Sequence, residues 1–279
     1  MGARPPLAWQ LPSGAPVLRT GLCGLAQPCL TLAQQTPRFL FHDATLLWIA
    51  AGRLDLVAGS ERITVDSPQS LLLVTPQTCA DLRKTPGGAE QRFRSVFLTF
   101  PVSLLDAFHR ARACVPPQPM RPAALRTLAL DEELASTLRH TCESVALRRV
   151  SDERLAYRLM DLLAALAERG HAFPRSVTAP GAAERLRTLI GEAPDQHWTA
   201  PEAGRALAMS EATLRRRLKE EGAGFEALLI DVRMHHAMML VQTTSWSIAR
   251  IALACGYKSQ ARFAQRFRSR FGYPPSAVR

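Results

Sequence analysis

The chain has 279 residues, 47% hydrophobic and 21% charged, which excludes global disorder and fits about two packed domains. Its 35 Lys and Arg against 24 Asp and Glu give a net charge of +11, pointing to a polyanionic partner: nucleic acid or an anionic membrane surface. No run of about 18 apolar residues is present, and Met1 to Gln10 lacks the apolar core of a secretory signal, so a cytoplasmic protein without a membrane span is expected.

Residues 1–36, with scattered Pro and Gly, read as an arm. Short strands are predicted next, at Thr45–Ala50, Leu54–Val57, Arg62–Val65, Leu71–Val74 and Arg92–Phe100, separated by Gly52-Arg53, Gly59-Ser60, Ser67-Pro68 and Pro86-Gly87-Gly88. This spacing points to a sandwich or small barrel. After Pro101 the pattern turns helical, over 102–113, 131–149 and 151–170. The last stretch repeats Leu155, Leu159, Leu162, Leu163 and Leu166 on one face. Such a stripe serves either as core against the strands or as a dimerisation surface. Residues 172–183, with two Pro and a Gly, form the expected linker between a domain over 37–171 and a helical domain over 184–279. Cys23, Cys29, Cys79, Cys114, Cys142 and Cys255 form no CxxC pair, so no zinc site or disulfide scaffold is expected. They read as reduced, mostly buried thiols, with Cys23 and Cys29 weighed as a redox pair.

The helical domain is where the charge concentrates. Residues 181–279 hold 15 basic and 9 acidic residues, and no acidic residue follows Asp231. The domain also repeats. A shift of 49 positions carries Ala203 onto Ala252, Leu214 onto Phe263, Arg217 onto Arg266, Leu218 onto Phe267 and Lys219 onto Arg268. Each copy reads as a small-residue helix, a tight turn and a basic amphipathic helix. In the first, Thr199-Ala200-Pro201-Glu202 is a capping box, Ala208-Met209 the turn and Ser210 the next cap. In the second, Gly256 ends the helix and Ser259 caps the one that follows. With Leu214 and Leu218 turned inward, Thr213, Arg215, Arg216 and Lys219 remain for other faces. With Phe263, Phe267 and Phe271 inward, Gln260, Arg262, Gln265, Arg266 and Ser269 include the outward candidates. This is the packing logic of paired helix-turn-helix motifs, whose Arg and Gln suit base edges and phosphates. A single helix over Phe225–Val241 would hold the two motifs so that they enter successive major grooves about 34 Å apart.

Residues 184–279 resemble the DNA-binding domain of the AraC/XylS bacterial transcription regulators. The resemblance rests on Ser247-Ile248-Ala249-Arg250-Ile251-Ala252, Cys255-Gly256-Tyr257-Lys258-Ser259-Gln260, Phe263, Arg266-Phe267-Arg268, Arg270-Phe271-Gly272 and Pro274-Pro275-Ser276. It implies two helix-turn-helix motifs used on double-stranded promoter DNA, with contact to RNA polymerase and a tendency to activate. Ser259 joins the implied DNA-contacting set, and Arg233, at a commonly basic position, is taken as a phosphate contact. Asp231, His235 and His236 stand where the family usually has Arg, Glu and Arg, so an ion pair is expected to be missing and Asp231 to be repelled if it faces phosphate. Ala261 and Ala264 leave base reading to Gln260, Arg262 and Gln265.

Residues 38–100 are similar, more loosely, to the cupin-like N-terminal domain of the same regulators, through Leu46-Leu47-Trp48-Ile49-Ala50-Ala51-Gly52 and Leu71-Leu72-Leu73-Val74-Thr75-Pro76. The expected fold is therefore a multi-domain α+β chain: a cupin-like β-barrel with helices, then an all-α domain. A small-molecule effector near Trp48 and Phe97, or a protein effector, is expected there, together with homodimerisation. His42 lacks the His-x-His company of metal-binding cupins, so no metal or other cofactor is expected. A barrel enzyme tethered to DNA would need a GxSxG, HExxH, phosphate loop or paired His, all missing here. A packaging protein needs only phosphate contacts and does not account for two Gln- or Arg-bearing recognition helices.

Overall fold

A computed structural model describes residues 14–112, 123–146, 150–175 and 180–278, which divide into two compact units, Met1–Ser176 and Val177–Arg279. In the first unit β1 (Val17–Arg19), β2 (Cys23–Ala26), β3 (Cys29–Leu30), β4 (Gln34–Phe41), β5 (Ala44–Ala51), β6 (Arg53–Ala58), β7 (Glu61–Val65), β8 (Ser70–Val74), β9 (Thr78–Thr85) and β10 (Phe93–Phe100) precede α1 (Val102–Ala111). Then follow β11 (Leu125–Ala129), α2 (Glu132–Ala146) and α3 (Asp152–Glu168). The strands form two antiparallel sheets: a seven-stranded one ordered β1-β2-β10-β5-β8-β11 with β3 also on β10, and a four-stranded one ordered β4-β9-β6-β7. The sheets face one another, as the stacked rings of Phe41 and Phe97 show (6.4 Å), but among the described residues no ladder closes them into a single barrel.

The central strand β5 is buried from Ala44 to Ile49 because both its faces are covered, which explains its unbroken apolar sequence. Its register fixes which side chain meets which layer. Trp48 lies beside Val96 and Leu71, whereas Leu47 lies beside Phe97 and Leu72. The first set, with Leu46, Leu73 and Leu98, packs against α1, α2 and α3. Within it sit Leu155, Leu159, Leu162, Leu163 and Leu166, each at most 2% exposed, so the leucine stripe of α3 is core and is not available as a dimerisation surface.

Several elements depart from the sequence reading. Residues 17–30, expected to belong to an arm, carry three short strands; residues 1–13 lie outside the described residues, as do residues 176–179 of the expected linker and Cys114. β9 escaped notice because its inward positions are Thr78, Ala80, Leu82 and Lys84, a set without an apolar period. Cys23 and Cys29 sit on strands paired to β10 at well-separated places, Gly24 opposite Thr99 and Cys29 opposite Arg94. Five residues of strand separate these points by roughly 15 Å, beyond the ~7 Å a disulfide spans. The redox pair is thus excluded, and burial pushes the Cys23 thiol up to about 12.

The second unit is helical: α4 (Ala182–Glu192), α5 (Ala200–Ala206), α6 (Glu211–Glu220), α7 (Phe225–Thr243), α8 (Ile248–Ala254), α9 (Gln260–Phe271) and a closing 3-10 turn, Pro275–Val278. The repeat is real but its register changes within it. The cap of α8, Ser247, lies 48 positions after Thr199, the cap of α5, while Ser259 lies 49 positions after Ser210. Ala203 therefore corresponds to Ile251, and Gly204 to Ala252, because the second turn is one residue longer. Both turns close alike: Met209 N–H donates to the Gly204 carbonyl (2.8 Å) and Tyr257 N–H to that of Ala252 (2.9 Å). The residue each turn needs in the left-handed region is Ala208 (φ 57°) in one and Gly256 (φ 75°) in the other.

That difference is testable. Ala208→Gly should raise stability in chemical denaturation by about 1 kcal/mol by relieving left-handed strain, and Gly256→Ala should lower it by at least as much.

Candidate nucleic-acid interface and effector residues

The first motif is assembled from local rules. Thr199 Oγ1 accepts from Glu202 N–H while the Glu202 carboxylate accepts from Thr199 N–H (2.9 Å), the capping box expected. The buried α5 residues Ala200, Ala203 and Gly204 let α6 approach closely: a Cβ on Gly204 would lie 3.0 Å from the Met209 carbonyl. Leu214 and Leu218 are buried on α6, and at about 100° per residue Arg216 projects opposite them. Arg216 is 69% exposed, with Glu220 at 3.5 Å, and Arg215 pairs with Glu211 (2.7 Å). Exposed i,i+4 pairs of this kind are weak and exchange readily for a phosphate. Lys219 is exposed, and the Thr213 hydroxyl meets that of Ser210 (2.8 Å).

The second motif is built from rings. Phe263, Phe267 and Phe271 are buried in succession along α9, with centroids 6.0 and 4.7 Å apart, and Tyr257 meets Phe263 edge-on. Opposite them Gln260, Arg262, Gln265 and Arg266 are exposed. Ser259 spends its hydroxyl on the cap, accepting from Arg262 N–H (3.3 Å). Arg216 and Gln265 thus hold equivalent outward places on α6 and α9, with no acidic side chain on α9.

Residues 204–279 match the family model described as a helix-turn-helix domain. The regulator GadX of Escherichia coli K12 is 32% identical over 117 residues, 41% of this chain and 43% of GadX. The urease operon transcriptional activator of Escherichia coli is 35% identical over 96 residues, 34% of this chain and 32% of its own. Through this domain the chain is similar to these transcriptional regulators. The chain matches less than half the length of these curated relatives. The solved structure of ToxT from Vibrio cholerae extends the likeness of fold to both units, with a TM-score of 0.59 at 16% identity over 92% of this chain and 97% of ToxT. An unsaturated-fatty-acid-bound ToxT gives 0.57 at 16% identity over 93% and 96%.

Within the helical unit the α7 residues Asp231, His235 and Arg233 resolve differently from expectation. Asp231 is not stranded: its Oδ1 accepts from Arg270 Nε (3.0 Å), an ion pair that ties α7 to α9 in place of the one expected to be missing. His235 completes the group, its Nε2 3.4 Å from Arg270, and burial holds its imidazole below its ordinary pKa. Arg233 is not presented as a free phosphate contact. Its guanidinium donates to the carbonyls of Pro194 (3.0 Å) and Gln196 (2.8 Å) and lies 5.7 Å from the centre of the Tyr257 ring. It packs so tightly on the second turn that a Cβ on Gly256 would meet it at 2.5 Å. Sequence reading also missed Glu221, just past α6, whose carboxylate accepts from the N–H groups of Ala182 and Ala183 at the start of α4 (2.7 and 2.9 Å).

The expected effector residues do not share a site. Trp48 faces the helices and donates from Nε1 to the Pro68 carbonyl (2.8 Å), while Phe97 faces the four-stranded sheet, since adjacent register positions point to opposite sides. Besides Phe41, Phe97 meets Lys84, unremarked in the sequence, whose Nζ lies 5.0 Å from the ring centre. Burial brings the Lys84 ammonium down to about 7.

Two outcomes follow. Arg233→Ala should weaken binding to all DNA sequences and lower the unfolding midpoint, but leave the salt slope of binding unchanged, because the lost contacts are internal; a salt titration checks this. Lys84 binds its proton less tightly folded than unfolded, where its pKa is about 10.4. Wild-type stability relative to Lys84→Met should therefore be flat below pH about 7 and rise from there to about 10.4, in denaturation measured across that range.

Proposed function

We propose that this chain is a sequence-specific DNA-binding regulator of transcription, and that it acts as an activator. The observation that carries the reading is the pair of capped helix-turn-helix motifs with matched outward residues, Arg216 and Gln265, on a basic domain. Thr213, Arg215, Arg216 and Lys219 of α6, with Ser259, Gln260, Arg262, Gln265 and Arg266 at α9, form the proposed DNA-contacting set. Long guanidinium and amide groups opposite the buried rows suit base edges, and the flanking cations suit phosphates. The names of the relatives, transcriptional regulators and a transcriptional activator, support the same reading over an enzyme or a packaging protein. It places the protein in the cytoplasm, and no described helix is long and apolar enough to cross a membrane. RNA polymerase is the proposed partner at the promoter. The first unit is the proposed sensing domain, a role supported by the ToxT fold found with an unsaturated fatty acid bound. Homodimerisation is retained in the proposal through a surface other than the α3 leucines; exposed Tyr157 on α3 (68%) is its best anchor.

The test separates base reading from phosphate binding. Arg216→Ala and Gln265→Ala should each cost about 1–3 kcal/mol at particular base pairs of a selected site, leaving affinity for random DNA little changed. Equal weakening on every DNA would overturn the assignment of the groove-facing surface.

A further inference from the structure

The first unit carries opposite charge patterns on two opposite faces. On α3, Glu153, Tyr157 and Asp161 recur at every fourth residue and are all exposed, so a tyrosine sits midway between two carboxylates about 12 Å apart along the helix. Tyr157 is the most exposed large apolar side chain among the described residues, at 68%. Neither Glu153 nor Asp161 is held in an ion pair among those residues; the neighbouring Asp152 is the one that holds Arg19. The buried side of α3 packs on the seven-stranded sheet.

The four-stranded sheet turns Leu54, Leu56 and Leu82 inward and leaves its other face open as a groove of about 490 Å3. Register places Arg62 of β7 opposite Val57 of β6, and Arg83 of β9 opposite Asp55 of β6. Two strand spacings and one side-chain repeat set Arg62 and Arg83 roughly 12 Å apart, with Val57 of the intervening strand on the groove floor. Both arginines are exposed, and among the described residues neither is in an ion pair. Of the acids in the groove, Asp55 is held by Arg53 (2.8 Å) and Thr64 (2.6 Å), and Asp81 accepts from the Arg38 N–H (2.7 Å). The charge left over is positive.

We propose that the α3 ridge of one chain docks in this groove of a second copy, Glu153 and Asp161 pairing with Arg62 and Arg83 while Tyr157 lies on Val57. The inference deepens the proposed homodimerisation and rests on it, supplying the surface that receives Tyr157. The two acids match the two arginines in spacing as well as in sign, and each pattern has an apolar group between its charges. Ridge and groove face away from each other, so the contact is head-to-tail and joins two different surfaces. Exposed ion pairs are individually weak, so the association is salt-sensitive and strengthens where two chains occupy neighbouring sites on one DNA.

Sedimentation equilibrium of the full chain across the micromolar range, in low and high salt, tests this. Wild type should self-associate in low salt and dissociate as salt rises. Arg62→Glu with Arg83→Glu, and separately Glu153→Lys with Asp161→Lys, should each weaken association by about tenfold or more. An equimolar mixture of these two double variants, which exchanges the charges across the contact, should restore it. Tyr157→Ala changes no charge and should also weaken association, which a general attraction between charged chains would not produce. All five positions lie on the surface, so the circular dichroism spectra should be unchanged. Loss in the ridge variant with association kept in the groove variant, a mixture that stays monomeric, or an unaffected Tyr157→Ala overturns the proposal. Association untouched by every variant overturns this inference and leaves homodimerisation standing. A strict monomer, in low salt and on DNA carrying two sites, overturns both.

Discussion

The second unit depends on one constraint: α7 is buried on nearly every side and so has no freedom to shift. Phe225, Leu228, Leu229 and Val232 belong to the core shared with α4, α5 and α6, and Met234, Ala237, Met238, Leu240 and Val241 are buried further along. A helix of 19 residues measures about 28 Å, a rigid strut between two cores. Arg233 and Asp231 act from its polar positions. One fastens the loop after α4 to the second turn, the other fastens α9, and both spend their hydrogen-bonding capacity inside the protein.

This division of labour among cations separates binding from architecture. Of the basic residues after Asp231, Arg233 and Arg270 are structural, while Arg262, Arg266 and Arg268 remain on the exposed part of α9. The first motif is tempered, since Glu211 and Glu220 lie beside Arg215 and Arg216, whereas α9 has no acidic counterpart. On the proposed reading, α6 and α9 would therefore meet a polyanion with unequal electrostatic pull, and α9 would supply more of the sequence-independent attraction.

The helical unit was largely legible because the helix starts of both motifs are marked by residues with a local physical role. Thr199, Ser210, Ser247 and Ser259 all cap helices through their own hydroxyls, and buried Leu or Phe recurs at helical spacing. What escaped were interactions between residues far apart in the chain. Nothing near Arg233 in sequence announces Pro194, and nothing near Glu221 announces Ala182. In the first unit, β5, β6, β7, β8 and β10 were visible from apolar runs between turns, and β9 was hidden by the lysine that makes it interesting. Trp48 and Phe97 were expected beside one effector, but a strand's two faces can be assigned to layers only once the register is known, and adjacent positions in that register part company.

The extra residue in the second turn has a consequence for engineering. Because α5 and α8 align at one offset and α6 and α9 at another, the two motifs are not interchangeable cassettes. A chimera that copied one whole motif over the other at a single offset would put one of its two helices out of phase by about 100°, burying polar side chains and exposing the aromatic row. Exchange between the two motifs therefore has to proceed by grafting outward side chains between α6 and α9 alone, leaving each turn with the helix that precedes it.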